Sequence, residues 1–416
     1  MQNPSPNELR ERLARLAANL AMPEREEPKP PDIGAESVGA REVVGRRGRY
    51  WIRSVDYSPR EPWGETQVES ICERCTGNGL RIPFNRLEQR IALRDCLFVD
   101  CETTGLAGGA GTVAFLIAVG QLAGESFVVD QYFLPDLSDE AGVLDEIAAR
   151  FETASALVTY NGSAFDLPLI EGRFNFWRLD PVFRELPHLD LLFPTRAIFK
   201  SRIQSCSLSN VEQQLLRIAR IEDLPGSQVP EVYFEYLRNG YSPRMHAVFE
   251  HNRLDVVSLF VYALWLDQRT HPDHPSLEYP DDLRSLARYW YRHRHHVPAM
   301  RALDEAEARV LAPEERAAVY RLRGHILKRA RDFDTAHEEW QKAAASSPND
   351  YSIAEELAKH LEHRRRDYAE ALRIVDRALS ALEFRALVAP GSADDLRQRL
   401  LYRRTRLCRK LDASQP

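Results

Sequence analysis

The 416-residue chain lacks most features that would set it apart from ordinary globular proteins. It has six cysteines, at positions 72, 75, 96, 101, 206 and 408, too few and too scattered for a disulfide framework. No run of 18 apolar residues occurs, so no transmembrane helix and no membrane partner are expected. Residues 1–21 alternate Leu with Arg and Glu and have no apolar segment of secretory type, which makes a reducing, cytoplasmic location the expectation. Neither charge dominates: 56 Lys and Arg face 62 Asp and Glu, a net of −6, and that balance makes no case for a nucleic-acid binder. With 44% hydrophobic and 28% charged residues, a collagen or a disordered tail is excluded, and the length predicts two or three domains.

Three regions follow along the chain. Leu9, Leu13, Leu16 and Leu20 form one face of a short amphipathic helix, which docks on the rest of the chain or binds a partner. Residues 23–32 are charged and Pro-rich and read as a linker. Residues 1–91 are thus a leader and lead-in. From residue 92 to 268 the apolar patterning predicts the order β-β-β-α-β-α-β-α. Strands are expected at 96–100, 113–122, 126–134, 156–160 and 188–192, with helices at 140–153 and 167–179. A three-stranded meander leading into crossovers implies an α/β fold, a mixed five-stranded sheet with flanking helices. Residues 281–411 are helical and repeat internally. Leu286, Leu322 and Leu357 align at offsets of 36 and 35, with Val297, Phe333 and Tyr368 in a second column. Ala336 with Ala371 and Ala343 with Ala378 let paired helices approach closely. This region resembles a tetratricopeptide-like array; a generic helical array is the alternative.

Chemistry concentrates in three short motifs. Asp100 and Glu102 end the first predicted strand, and alternation puts both carboxylates on one side. Two such acids repel unless a cation or proton is shared; local capping by Asp100 and Thr103 reads the same residues without chemistry. Asp166 lies just after the turn Asn161-Gly162, in the first turn of a helix, where any carboxylate is favoured. His251 and Asp255 share a helix face at i, i+4, as a surface pair also would.

Taken together, Asp100-x-Glu102, Asn161-x3-Phe165-Asp166 and His251-x3-Asp255 resemble the three motifs of the DEDD 3′–5′ exonucleases, of ribonuclease H-like fold. The wider sequence is similar to the YprB-like branch of that superfamily, which often carries tetratricopeptide repeats. The resemblance implies a nuclease with two Mg²⁺ or Mn²⁺ ions. Asp100, Glu102, Asp166 and Asp255 match the acidic ligands, and His251 matches the general base. The chemistry is consistent: carboxylates suit hard divalent cations, and two ions about 3.5–4 Å apart stabilise the attacking and leaving oxygens. One departure is noted. One branch of the superfamily has Tyr four residues before the last Asp and another has His five before it; this chain has His at the Tyr spacing. His titrates nearer neutral pH than Tyr and is the better acceptor there. His246 is a second, worse-placed histidine.

Thr103, Thr104 and Gly105 are expected to contact the substrate backbone, and Asn161 to contact substrate or cap its turn. The glycines at 105–111 are not a phosphate loop, since no Lys-Ser/Thr follows. Asp190 reads as structural, and the lone pair Cys72-x2-Cys75 does not predict zinc. Charge is uneven: residues 281–416 hold 27 Lys and Arg against 22 Asp and Glu, a net of +5, which leaves −11 for residues 1–280. Basic stretches at 41–53, 364–366 and 403–410 would guide a nucleic-acid backbone, or equally form salt-bridged surfaces. The expected activity is a metal-dependent 3′–5′ exonuclease on single-stranded DNA or RNA, with a protein partner on the repeats. The rivals are an interaction module without turnover and a structure-specific endonuclease.

Overall fold

The computed structural model describes residues 38–58, 80, 93–105, 111–124, 126–220, 223–309, 312–348, 351–388 and 394–413. The expected leader helix, the linker and Cys72-x2-Cys75 lie outside the described residues. The chain forms two compact units. Described residues 38–58, 94–187 and 220–258 belong to the first, and 188–219 and 259–413 to the second.

The first unit is built on a sheet. Six strands, β1 (Arg41–Val44), β2 (Arg49–Tyr57), β3 (Cys96–Thr103), β4 (Ala114–Ala123), β5 (Ser126–Phe133) and β6 (Ala156–Thr159), lie in the order β1-β2-β5-β4-β3-β6. β3, β4 and β5 are the expected antiparallel meander, and β6 joins β3 in parallel, which makes the sheet mixed. Cys96 to Val99 are buried throughout, as a central strand covered on both faces requires.

Among the described residues β1 and β2 are additional to the five strands expected: they precede residue 92 and extend the meander beyond β5, with Trp51 opposite Phe133 and Tyr57 opposite Phe127. The basic stretch 41–53 is these strands. Four of its arginines are ion-paired: Arg46 and Arg47 with Asp145, Arg49 with Glu42 at 3.3 Å and Arg53 with Glu250 at 2.8 Å.

Helices cover the sheet. α1 (Glu140–Glu152) buries Val143, Leu144, Ile147 and Phe151, the face its periodicity predicts. α2 (Asp166–Trp177) buries Ile170 and Phe174. The seventh strand, β7 (His188–Asp190), and α3 (Leu192–Phe199) come next, followed by α4 (Leu208–Val211). In the first unit α5 (Val229–Asn239) stacks Tyr233 on Phe115, centroids 3.9 Å apart. α6 (Met245–Arg269) crosses β4 at Gly120, where an added Cβ would lie 2.6 Å from Val256 Cγ1 and 2.4 Å from Phe127 Cζ. Only glycine lets that helix approach so closely.

From Pro280 the second unit is a run of helical hairpins. α7 (Pro280–Arg292) pairs with α8 (His296–Glu307), α9 (Pro313–Arg329) with α10 (Phe333–Ser346), and α11 (Ala354–His360) with α12 (Tyr368–Val388); α13 (Asp394–Asp412) closes the run. The aligned residues Ala336, Ala343, Ala371 and Ala378 are buried at the helix contacts, where small side chains were expected.

Candidate active site

The site grows from the end of β3. Two-residue periodicity carries Asp100 and Glu102 to one side, and the pairing with β4 slips between Glu102 and Thr103, which ends the regular strand beside the carboxylates. Asp166 arrives from a turn. Asn161 adopts φ 65°, and at Gly162 a Cβ would lie 2.4 Å from Thr159 Oγ1. The tight turn starts α2 at Asp166 itself, one residue before the expected 167. α6 supplies His251, Asn252 and Asp255 at i, i+1 and i+4.

These groups meet. A cleft of about 760 Å³ is lined by Asp100, Glu102, Asp166, His251 and Asp255, with Thr103, Gly105 and Asn161 also on its wall. Thr104 is the exception. It is not among the residues that line the cleft, and its hydroxyl accepts from the Val113 N–H at 3.0 Å, holding the loop against β4. His246 is exposed and does not line the cleft. In the second unit Asp190 is buried, and its carboxylate accepts from the Leu192 N–H at 3.1 Å at the start of α3.

Three partners lie outside the motifs. Asn252, fully buried, donates its amide to Asp100 Oδ2 at 2.8 Å and accepts from Gln131 Nε2 at 3.1 Å, which fixes the Asp100 carboxyl. Its place one residue after His251, three before Asp255, was a readable signal. Asp223 Oδ1 lies 2.7 Å from His251 Nδ1, so that nitrogen donates. His251 Nε2 then faces Glu102 Oε1 at 3.8 Å and Asp255 Oδ2 at 3.9 Å. Arg220 donates to Asp255 and, at 3.2 Å, pairs with Asp223. Nothing local in Arg220-Ile-Glu-Asp223 announces either contact.

Protonation follows from crowding. Burial raises the Asp100 pKa well above the carboxylate range, and Asp255, Glu102 and Asp166 raise it further. Glu102 is pushed up to about 8, by burial first, with His251 opposing and the other acids adding to it. Burial would lower His251, but Asp255, Glu102 and the Asp223 hydrogen bond outweigh it and raise its pKa. The cluster thus holds more carboxylates than it can ionise without a proton or a cation.

Among the described residues no three His, Cys, Asp or Glu side chains close a metal shell as they stand. The donor set itself, a cluster of carboxylate oxygens, fits a hard divalent ion.

Residues 97–266 match the family model described as RNase_H superfamily. Over 287 residues the chain is 29% identical to the uncharacterized protein YprB of Bacillus subtilis (strain 168), covering 68% of each. Partial structural likenesses include the family B DNA polymerase of Pyrobaculum calidifontis (TM-score 0.34, 16% identity, 48% of this chain and 29% of that one). Another is the TPR2AB-domain:pHSP90 complex of yeast Sti1 (TM-score 0.26, 19% identity, 64% and 85%). The chain therefore spans under a third of that polymerase. The domain match supports a nuclease-type activity in general, with divalent metals typical of the superfamily.

Proposed function

We propose that the chain is a divalent-metal-dependent 3′–5′ exonuclease that hydrolyses single-stranded nucleic acid. The observation that carries this reading is the convergence of Asp100, Glu102, Asp166, Asp255 and His251, from three distant motifs, in one cleft. Asp100, Glu102, Asp166 and Asp255 would hold two Mg²⁺ or Mn²⁺ ions. Such ions supply charge stabilisation for the attacking and leaving oxygens.

The remaining work falls to the chain. Asp223 holds the Nδ1 proton of His251, which leaves the Nε2 lone pair facing the acids. Nε2 takes the proton of the attacking water as its oxygen bonds to phosphorus. The P–O3′ bond breaks, the 3′ oxygen regains a proton, and a nucleoside 5′-phosphate departs. Asn252 keeps Asp100 from rotating. Thr103, Gly105 and Asn161 border the strand, and the small Gly105 permits close backbone approach.

The test is digestion of end-labelled DNA and RNA strands, linear and circular, with Mg²⁺, Mn²⁺ or EDTA. Mononucleotides should leave linear strands from the 3′ end only with metal, and circles should survive. Asp100→Ala should lower the rate by more than about a hundredfold, beyond what outer positions typically cost. Full activity in that variant would sink the assignment; cleaved circles would favour an endonuclease.

A further inference from the structure

The three helical hairpins of the second unit turn through the same chemistry. α7 passes to α8 through Arg292-His293-Arg294-His295, α9 to α10 through Lys328-Arg329-Ala330-Arg331, and α11 to α12 through His363-Arg364-Arg365-Arg366. Arg294, Arg331 and Arg366 each stand two residues before the second helix of their hairpin begins. All three are exposed and adopt left-handed φ values of 65°, 67° and 54°. Glycine or asparagine is the usual residue at such a helix end, because a Cβ is strained there. Arg178 and Arg217 end other helices the same way, so the backbone alone assigns nothing.

The turns stand side by side. The Arg329 guanidinium lies over the Tyr291 ring at 5.3 Å, and that of Arg364 over the Phe333 ring at 3.7 Å, each one repeat back. The neighbouring acids are engaged. Asp332 caps α10 through the Thr335 N–H at 3.2 Å, and Asp367 accepts from the Glu370 N–H at 2.9 Å. Asp334 pairs with Arg365 at 3.1 Å and Glu356 with Lys328. Among the described residues no carboxylate engages Arg294, Arg331 or Arg366.

The opposite edge is acidic: α7, α9 and α11 begin with Asp281 and Asp282, Glu314 and Glu315, and Glu355 and Glu356. Helix dipoles favour that polarity, but a single cation in the last turn answers a dipole, and each of these turns carries two or three. The crowding is felt locally. Arg288 is lowered by burial and then by Arg284, Arg292 and Arg321; His360 is lowered by burial, His337, Arg365 and Arg364, against Asp334.

We propose that the row Arg294, Arg331, Arg366 is a binding site for the phosphodiester backbone of a nucleic-acid strand. Guanidinium groups pair phosphates in a fork, and a strand presents phosphates at a regular interval, as a repeat array presents its turns. The choice of nucleic acid over an acidic peptide rests on the nuclease reading; the row itself does not.

The experiment uses the full chain and a triple substitution, Arg294→Gly, Arg331→Gly and Arg366→Gly. Glycine suits the left-handed turns, so the thermal midpoint should hold or rise. The corresponding Asn triple, also tolerated there, is the second variant should the first fold poorly. Binding of a long fluorescent single strand is measured in EDTA across a salt series. Affinity should fall about tenfold or more. The slope of log affinity against log salt should drop by about 2, near 0.7 for each of three lost phosphate contacts. Metal-dependent hydrolysis of a very short oligonucleotide should be unchanged. Unaltered affinity and slope in the variants, or no strand binding by the parent chain, overturns the proposal; binding of poly-glutamate abolished in place of strand binding overturns it in favour of an acidic protein. A parent chain that binds the strand but hydrolyses nothing with either metal defeats the nuclease reading and leaves the row standing.

Discussion

Asp223 decides which nitrogen of His251 is available. By accepting the Nδ1 proton at 2.7 Å it leaves Nε2 as the basic site toward Glu102 and Asp255. It also helps raise the His251 pKa, so its removal has a definite sign. In Asp223→Asn the histidine should lose its proton at lower pH, and the acid limb of the pH–rate profile should move down. The maximal rate should fall about 10–100-fold as ring orientation is lost. A profile that stays in place would mean Asp223 does not set this histidine. The residue scale also marks where reading a sequence stops. Asp100, Glu102, Asp166 and Asp255 stood out because three spaced motifs together resemble one family, while each alone reads as an ordinary cap, helix-start acid or surface pair. Asp223 did not, because its role exists only once an irregular segment 28 residues away folds back onto α6.

Elements were legible where one face is apolar. The stripe of α1 and the continuous runs of β3 and β4 read directly, since burial on one or both faces leaves its period in the residues. β2 was read as a basic stretch because Arg49, Arg53 and Asp56 interrupt its apolar side chains. Its pairing with β5 comes from register, which composition does not carry. The close crossing of β4 and α6 was invisible for a related reason: Gly120 looks like any strand glycine until Val256 is seen beside it. Gly120→Ala should push α6 off the sheet, destabilising by about 1–3 kcal/mol in denaturant unfolding. Because Asp255 rides on that helix, metal-dependent activity should fall further than stability alone explains. Wild-type stability and rate in that variant would show that the contact gives way freely.

For the whole molecule, the net charge of −6 conceals an acidic cleft in one unit and a basic edge in the other. In the metal-free chain Glu102 keeps a proton up to about pH 8, whereas unfolded it would lose it near 4.5. A carboxylate raised in this way destabilises the fold progressively as pH climbs through that interval, because the folded form binds the extra proton. Mg²⁺ or Mn²⁺ should therefore raise the thermal midpoint of the full chain, and by more at pH 8 than at pH 6. At a hundredfold excess over Kd, linkage amounts to about 2.7 kcal/mol. Asp100→Asn should shrink the effect, and a midpoint indifferent to either ion at both pH values would argue against a cation in the cleft. Each compact unit is stitched from separated stretches, which local composition does not signal.

That stitching has a consequence in time. The first unit needs residues 220–258 as well as 94–187, and the cleft is complete only when Asp255 has been made. At translation rates of about 5–20 residues per second, roughly 10–30 s separate the synthesis of Asp100 from that of Asp255. Until then the residues of β3 and β4 lack α6 to cover them, and the growing chain holds Asp100 without Asn252 to fix it. Ribosome pausing between β6 and α6 should lengthen that period and lower the soluble yield.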